Sequence, residues 1–303
     1  MPQTLGVPEP PPRVRRQDGS WLAKRIGVCG NVSAEFIRQL PGGEVGAALI
    51  RLPSGELAVL SSWPPGSAAR AGEVGDLVDR LRDRGYPAPA YLAVVDCDDV
   101  VAVVQEYVAG TPPPTADPVL VQALLDLNEC QRSVLLTATG GTGDLYLRSD
   151  GPGYCLHEPL RRYSRETAAL LEHVRHIGAE LADSVGSGRD VVHGDFHLGN
   201  VLVGDGSGVV TGVVDWTGAR GGDAGLDLVV LAFFLDHARA PEAVRAHVEE
   251  RLRAVVEPDA RLAFTAHLAL RQVDWVIRHY GPDEVADWTS IARTRLAVAE
   301  QSH

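Results

Sequence analysis

The sequence predicts an α+β fold: a five-stranded antiparallel sheet with one helix, then a mainly helical region that carries a hairpin. Three observations in the 303 residues carry this expectation. Three short extended runs near the N-terminus are cut by strong turn signals, apolar residues recur at helical spacing in the C-terminal half, and one β feature interrupts those helices.

Residues 1–18 are rich in proline and arginine and read as a flexible arm. The runs 34–40, 46–52 and 56–62 are separated by Pro41-Gly42-Gly43 and Pro53-Ser54-Gly55, so they form a meander with tight connections. Val74, Leu77, Val78 and Leu81 share one face of a helix that stops before Gly85-Tyr86-Pro87. Strands follow at 91–95 and 100–107. The segment Ala109-Gly110-Thr111-Pro112-Pro113-Pro114 then breaks the pattern, and the boundary between lobes is expected there: 19–110 for the first, 111–303 for the second. In the second lobe, Leu170, Val174, Ile177 and Leu181 mark an amphipathic helix, and residues 224–237 are apolar nearly all round, which predicts a buried helix. Leu262, Ala266, Ala269, Val273 and Val276 mark another helix, and Val285, Trp288 and Ala292 a last one. The hairpin between them runs through 200–203 and 209–214.

Composition excludes several classes. The formal net charge of −12 repels a polyphosphate duplex, so no nucleic-acid partner is expected. No apolar run is long enough for a membrane span and the first twelve residues lack a leader's apolar core, so no membrane partner is expected either. Cys29, Cys97, Cys130 and Cys155 are scattered with no C-x-x-C pair, as in a cytoplasmic protein that keeps its thiols reduced, monomeric or dimeric. Lys24 is the only lysine among the 28 basic residues.

Chemistry concentrates in His193-Gly194-Asp195-Phe196-His197-Leu198-Gly199-Asn200, followed by Val213-Val214-Asp215-Trp216. With a turn near Gly206-Ser207, Asn200 pairs with about Val213, and Asp215 lies two residues on, roughly 7 Å at strand rise. An amide oxygen and a carboxylate that close can share one hard divalent cation. Phosphoryl transfer needs such a cation on the phosphates and a carboxylate that orients the attacking hydroxyl and accepts its proton. The D-x-x-x-x-N spacing and the strand-end Asp suit that reaction. Asp, Asn and Gly are also ordinary turn formers, so it is the ordered set that points to catalysis. His193-x-Asp195-x-His197 also allows a second reading as a transition-metal cluster, since alternate residues on an extended segment project together. His173 and His176 read as a surface pair on their helix.

HGDFHLGNVLV with VVDW resembles the signature of the aminoglycoside phosphotransferase family, which includes choline-kinase-like small-molecule kinases. The resemblance extends to Pro87-Ala88-Pro89 at the entry to the fourth strand, Gln105–Gly110 as a hinge, and Gly222-Asp223-Ala224-Gly225-Leu226-Asp227-Leu228 after the metal aspartate. It implies a bilobal protein-kinase-like fold with a nucleotide-binding first lobe and an acceptor site in the second. It implies Asp195 as catalytic base, Asn200 and Asp215 as Mg²⁺ ligands, and ATP or GTP as donor. Backbone groups of Glu106 and Val108 then bind the base, Gly42 and Gly43 cover the phosphates, and Glu73 is the glutamate of the first-lobe helix. His193 and Asp227 brace the catalytic loop.

One family part is missing. The third strand reads Leu57-Ala58-Val59-Leu60-Ser61-Ser62-Trp63, where the family carries a lysine that pairs with the helix glutamate. An arginine from elsewhere such as Arg51 or Arg70, the hydroxyl of Ser61, or a heavier reliance on Mg²⁺ is expected at the phosphates instead; Lys24 precedes the first strand. Residues 190–303 hold 17 acidic against 10 basic side chains, a balance that favours a cationic acceptor. Trp216, Asp274 and Trp275 are the candidates for the acceptor cleft, with Trp288 beside them. The function expected is transfer of a γ-phosphate to a hydroxyl of a small molecule, an antibiotic above all, of the aminoglycoside, nucleoside or peptide kind. The alternatives are a metabolite kinase of the same fold and a catalytically weak pseudokinase acting as a binding module.

Overall fold

The computed structural model describes residues 16–41, 45–204 and 208–301. In chain order, the first elements are α1 (Gly19–Cys29), β1 (Glu35–Gln39), β2 (Ala47–Arg51), β3 (Leu57–Trp63), α2 (Ala68–Arg82), β4 (Tyr91–Asp96) and β5 (Val101–Glu106). Then come α3 (Pro118–Cys130), α4 (His157–Tyr163), α5 (Arg165–Glu180), β6 (Asp190–Val192), β7 (Val201–Val203), β8 (Val210–Val213) and β9 (Arg220–Gly222). The chain ends in α6 (Gly225–His237), α7 (Glu242–Val255), α8 (Pro258–His279) and α9 (Pro282–Glu300). These divide into two compact units.

One unit holds residues 16–113 together with Gly199–Arg220. Its sheet is antiparallel throughout, in the order β1-β2-β3-β5-β4. The side chains of Ala48, Ile50, Ala58, Leu60, Ala102 and Val104 alternate onto one face, and α1 lays Leu22, Ala23 and Ile26 on them. Each such Leu or Ile contributes about 1.5–3 kcal/mol of burial. Asp18 starts α1 by accepting the Ser20 and Trp21 N–H groups. Gly19 is needed because a Cβ there would fall 2.3 Å from that of Ala48. The sequence reading carried the arm through residue 18 and left this helix out. The thiol of Cys97, distant in sequence, donates to the Arg25 carbonyl of this helix (3.9 Å).

The opposite face carries Leu49, Val59, Ser61, Val103 and Gln105, set by the pairs Leu49–Val59, Val59–Gln105 and Ser61–Val103. Tyr91 of β4 joins that row through its pairing with Gln105. The α2 helix meets β4 where Gly75 lies against the Tyr91 side chain.

The hairpin β7–β8 belongs with this unit, whereas the sequence reading placed it in the second lobe. The reason is local hydrogen bonding. Thr111 exchanges both backbone bonds with Val203 (3.1 and 2.9 Å), and the Val213 N–H donates to Pro87 (2.7 Å). The Thr211 hydroxyl donates to the Ala109 carbonyl (2.7 Å). The segment after β5 thus runs along the hairpin as a further extended partner.

The other unit holds Pro114–Leu198 with residues 221–301. It is built around α6, buried on nearly every side, and α8, whose face from Leu262 to Val276 is buried. The four helices read from periodicity correspond to α5, α6, α8 and α9; α3, α4 and α7 were not read. His173 and His176 lie at the surface of α5, paired with Glu300 and Glu180. Among the described residues no helix is long and apolar enough to cross a membrane.

Candidate active site

In the helical unit the site begins with a buried brace. Asp227, in the first turn of α6, has no solvent exposure. Its two oxygens accept the backbone N–H groups of His193 (2.7 Å) and Gly194 (2.8 Å) and the amide of Gln131 (2.8 Å). Asn128 in turn donates to Gln131 (3.1 Å) and to the Ala224 carbonyl (2.9 Å). Burial pushes the Asp227 carboxyl up, while these N–H donors favour its anion. His193 is fully buried, and its Nδ1 accepts the Asp195 N–H at 3.2 Å, which places its proton on Nε2. His193 and Asp227 therefore lie where they fix the backbone conformation of the loop that presents Asp195.

The Asp195 carboxylate keeps 32% of its side-chain surface exposed. One oxygen meets the guanidinium of Arg271 on α8 at 3.1 Å, and the other meets His197 Nε2 at 3.3 Å. Arg271 also donates to the Gly194 carbonyl. Burial alone would raise the Asp195 pKa; the His197 hydrogen bond and the charge of Arg271 outweigh it and hold the carboxyl well below the ordinary range. The His197 ring is itself held, stacked on Phe234 of α6 at 4.1 Å between centroids.

Arg271 is absent from the sequence-based set. It sits 76 residues from Asp195, and nothing in its local context separates it from the other arginines of the chain. His197 was read there only as a metal ligand. Its ring instead faces the carboxylate, and among the described residues no group of three or more His, Cys, Asp or Glu side chains gathers for a metal.

In the sheet-bearing unit, Val201 pairs with Val213, so Asn200 stands opposite Val214, whose N–H donates to the Asn200 carbonyl (2.8 Å). The expected register was one residue out. Asp215 follows that pair by one residue rather than two. Asp215 adopts the left-handed conformation (φ 64°, ψ 60°), which costs a non-glycine residue about 1 kcal/mol or more and is best tolerated by Asp and Asn. One of its oxygens accepts the Thr217 hydroxyl (2.8 Å). An amide oxygen and a carboxylate are the hard donors that Mg²⁺ selects, and two protein donors leave most of an octahedral shell to water and phosphate oxygens. The residues present fit that ion.

Glu73 lies in the N-terminal half of α2 and accepts from Arg70 at 3.2 Å. Arg70 also donates to the Ala219 carbonyl, four residues past Asp215. The Glu106 carboxylate accepts from Arg82 (2.9 Å) and from the Ala90 N–H (3.2 Å), closing the end of β4 against β5. Val108 packs on Gly212, where a Cβ would fall 2.7 Å from its Cγ1. Ser61 lies mid-strand in β3 between Ala47 and Val103. Gly42 and Gly43 lie outside the described residues.

Two residues expected at the acceptor cleft are fully buried. Trp216 is fully buried, its indole N–H donates to the Val213 carbonyl (2.8 Å), and its ring meets Tyr86 edge-on at 5.5 Å. Its size and its donor are both spent on packing the hairpin. Asp274 has no exposure either; it pairs with Arg278 (2.6 Å) and accepts the Leu156 N–H (2.8 Å). Trp275 is half-buried beside Tyr280 (4.9 Å), one helical turn beyond Arg271 on α8. Trp288 is buried and stacks on His237 at 4.3 Å.

The family model described as the phosphotransferase enzyme family, APH, matches residues 37–264. No curated protein matches the chain. Among solved structures, the chain is similar to a thermostable mutant of aminoglycoside phosphotransferase APH(4)-Ia in ternary complex with AMP-PNP and hygromycin B. Identity is 17%, coverage 93% of this chain and 98% of that one, and the TM-score 0.65. It is similar to an aminoglycoside-3'-phosphotransferase of type VIII at 19% identity, over 83% of this chain and 98% of that one, with a TM-score of 0.55. It is also similar to a candidate fructosamine-3-kinase from Thermobifida fusca YX-ER1 at 17% identity, over 91% and 98% of the two chains, with a TM-score of 0.59. At such identities the structures establish the kinase-like fold, and the family model, which spans most of the chain, establishes the kinship: the protein belongs to the APH phosphotransferase enzyme family.

Proposed function

We propose that the chain transfers the γ-phosphate of ATP or GTP to a hydroxyl of a small-molecule antibiotic in the cytoplasm, with Asp195 as the residue that receives the hydroxyl. The observation that carries this reading is the state of Asp195: a half-exposed carboxylate, kept ionised by Arg271 and His197, on a loop whose backbone is pinned by a buried aspartate. The acceptor oxygen attacks the γ-phosphorus, the new P–O bond forms as the bond to the leaving diphosphate breaks, and the hydroxyl proton passes to Asp195. A carboxylate held below its ordinary range is a weak base. Its main work is therefore to orient the hydroxyl and to take the proton late, which suits the loose transition state of phosphoryl transfer.

Asn200 and Asp215 are the donors for Mg²⁺, which when bound offsets the charge of the nucleotide phosphates. Backbone groups at Glu106 and Val108 take the nucleotide base, in a first lobe that binds the donor, while the second lobe takes the acceptor. The acidic balance of residues 190–303 favours a cationic acceptor. The relative that carries hygromycin B and the one resembling a fructosamine kinase mark the two acceptor classes to be compared.

The test is release of nucleoside diphosphate by the purified protein with Mg²⁺ and ATP or GTP. The acceptor panel spans aminoglycosides, macrolides, nucleoside and peptide antibiotics, ketosamines and choline, with the product identified by mass. Phosphorylation of an antibiotic supports the reading; turnover with a ketosamine or choline alone replaces it with a metabolite kinase. Nucleotide binding without transfer to any of them would leave a binding module.

A further inference from the structure

We propose that Arg70 supplies the positive charge at the nucleotide phosphates, in place of a cation on β3. The inference rests on the phosphotransferase reading and adds a residue to it.

The β3 position that faces the right way is neutral. Ser61 shares its sheet face with Val59, Gln105 and Tyr91, away from α1. Tyr91 lies on this face through its pairing with Gln105, and α2, the helix that carries Arg70, meets it there with Gly75 against the Tyr91 ring. Of the three cations weighed from the sequence, Lys24 is exposed on α1, which packs the opposite face. Arg51 faces solvent at the end of β2, where it pairs with Glu35 (3.7 Å) and donates to Gly55 (3.3 Å). Arg51 pairs with Leu57, four residues along β3 from Ser61, roughly 13 Å away at strand rise.

Arg70 is differently placed. Glu73, one turn along the same helix, takes one of its terminal nitrogens, and the Ala219 carbonyl takes the other. Those contacts tether the guanidinium to the segment that follows Asp215. They leave further N–H donors for a ligand, and 41% of the side chain is open to solvent. A planar guanidinium held at two points is pre-organised to take phosphate oxygens in a bidentate manner. Glu73 then does for Arg70 what an opposed glutamate would do for a lysine: it holds the cation in place through a contact within α2 rather than across to the sheet.

The experiment compares binding of MgATP with binding of adenosine, by calorimetry, to the wild-type protein and to Arg70→Ala, Arg70→Lys and the double variant Arg70→Ala/Ser61→Lys. Arg70→Ala is expected to weaken MgATP roughly tenfold or more, the scale of a lost charge-assisted hydrogen bond, and to leave adenosine unchanged. Arg70→Lys or the double variant is expected to regain part of the loss. Unchanged MgATP affinity overturns the proposal while the phosphotransferase reading stands. An equal loss for MgATP and adenosine also overturns it, since a purely structural tie to Ala219 moves both. If the wild-type protein binds neither ligand, both readings fall. Should Arg70→Ala not fold, Arg70→Gln gives the same comparison with a donor kept for Ala219.

Discussion

The guanidinium of Arg271 reaches from α8 to the carboxylate of Asp195 at 3.1 Å while also donating to the carbonyl of Gly194. One side chain thus acts, beside His197, on the charge state of the carboxylate and on the backbone that carries it. Removing that charge by Arg271→Gln takes away a lowering influence, so the Asp195 pKa rises toward the ordinary value of about 3.9 or above. In the wild type the acid limb of kcat/KM set by Asp195 lies below the ordinary carboxylate range. In the variant it moves to higher pH and kcat falls, with the KM for nucleotide unchanged. The stability linkage has the same origin: a depressed folded pKa contributes stability above about pH 3.9 that is lost as pH falls through the folded value. Arg271→Gln therefore narrows the stability difference between pH 7 and pH 3, which denaturant titration at the two pH values reads.

Asp227→Ala strands the N–H groups of His193 and Gly194 and the Gln131 amide inside the helical unit. The cost is about 3 kcal/mol or more. Calorimetry should show a lower Tm, and activity should fall because the loop is no longer held. Asp227→Asn, which keeps acceptor capacity on one oxygen, should lose less.

Trp216→Phe removes the indole donor to Val213 and part of the packing on Tyr86. The expected loss is about 1–3 kcal/mol of stability, with the acceptor KM unaltered. A raised acceptor KM at unchanged Tm would return Trp216 to the cleft where the sequence alone had put it.

Asp215→Asn keeps the oxygen that accepts from Thr217 but takes away the negative charge. Titrating Mg²⁺ against activity should show half-saturation displaced to roughly tenfold higher Mg²⁺ or more, with Tm in the absence of Mg²⁺ little changed. Half-saturation at the wild-type Mg²⁺ concentration would remove Asp215 from the metal site.

Much of this was legible in the chain because the signals were local. The three-stranded meander was marked by Pro-Gly turns, the buried α6 by its unbroken apolar run, and the loop proposed for catalysis by residues within eight positions of one another. Some local signals were present and passed over. Asp18 before Leu22, Ala23 and Ile26, and Asp117-Pro118 before Leu120, Val121, Leu124 and Leu125, are cap-and-stripe patterns that open α1 and α3. The one-residue error in hairpin register follows from the bulge between Leu202 and Val203, which no spacing rule locates. Arg271 and the burial of Trp216 and Asp274 were beyond reach for another reason. They depend on which helix face meets which loop, a tertiary relation that periodicity does not encode.

The most direct test is Asp195→Asn, a substitution that keeps size and one acceptor oxygen while removing the carboxylate's charge and its capacity to take a proton. Phosphoryl transfer to the acceptor should be abolished, while MgATP binding by calorimetry stays within about twofold of wild type, well under 1 kcal/mol. Transfer at the wild-type rate would contradict the assignment of Asp195, and with it the account of the site built around that carboxylate.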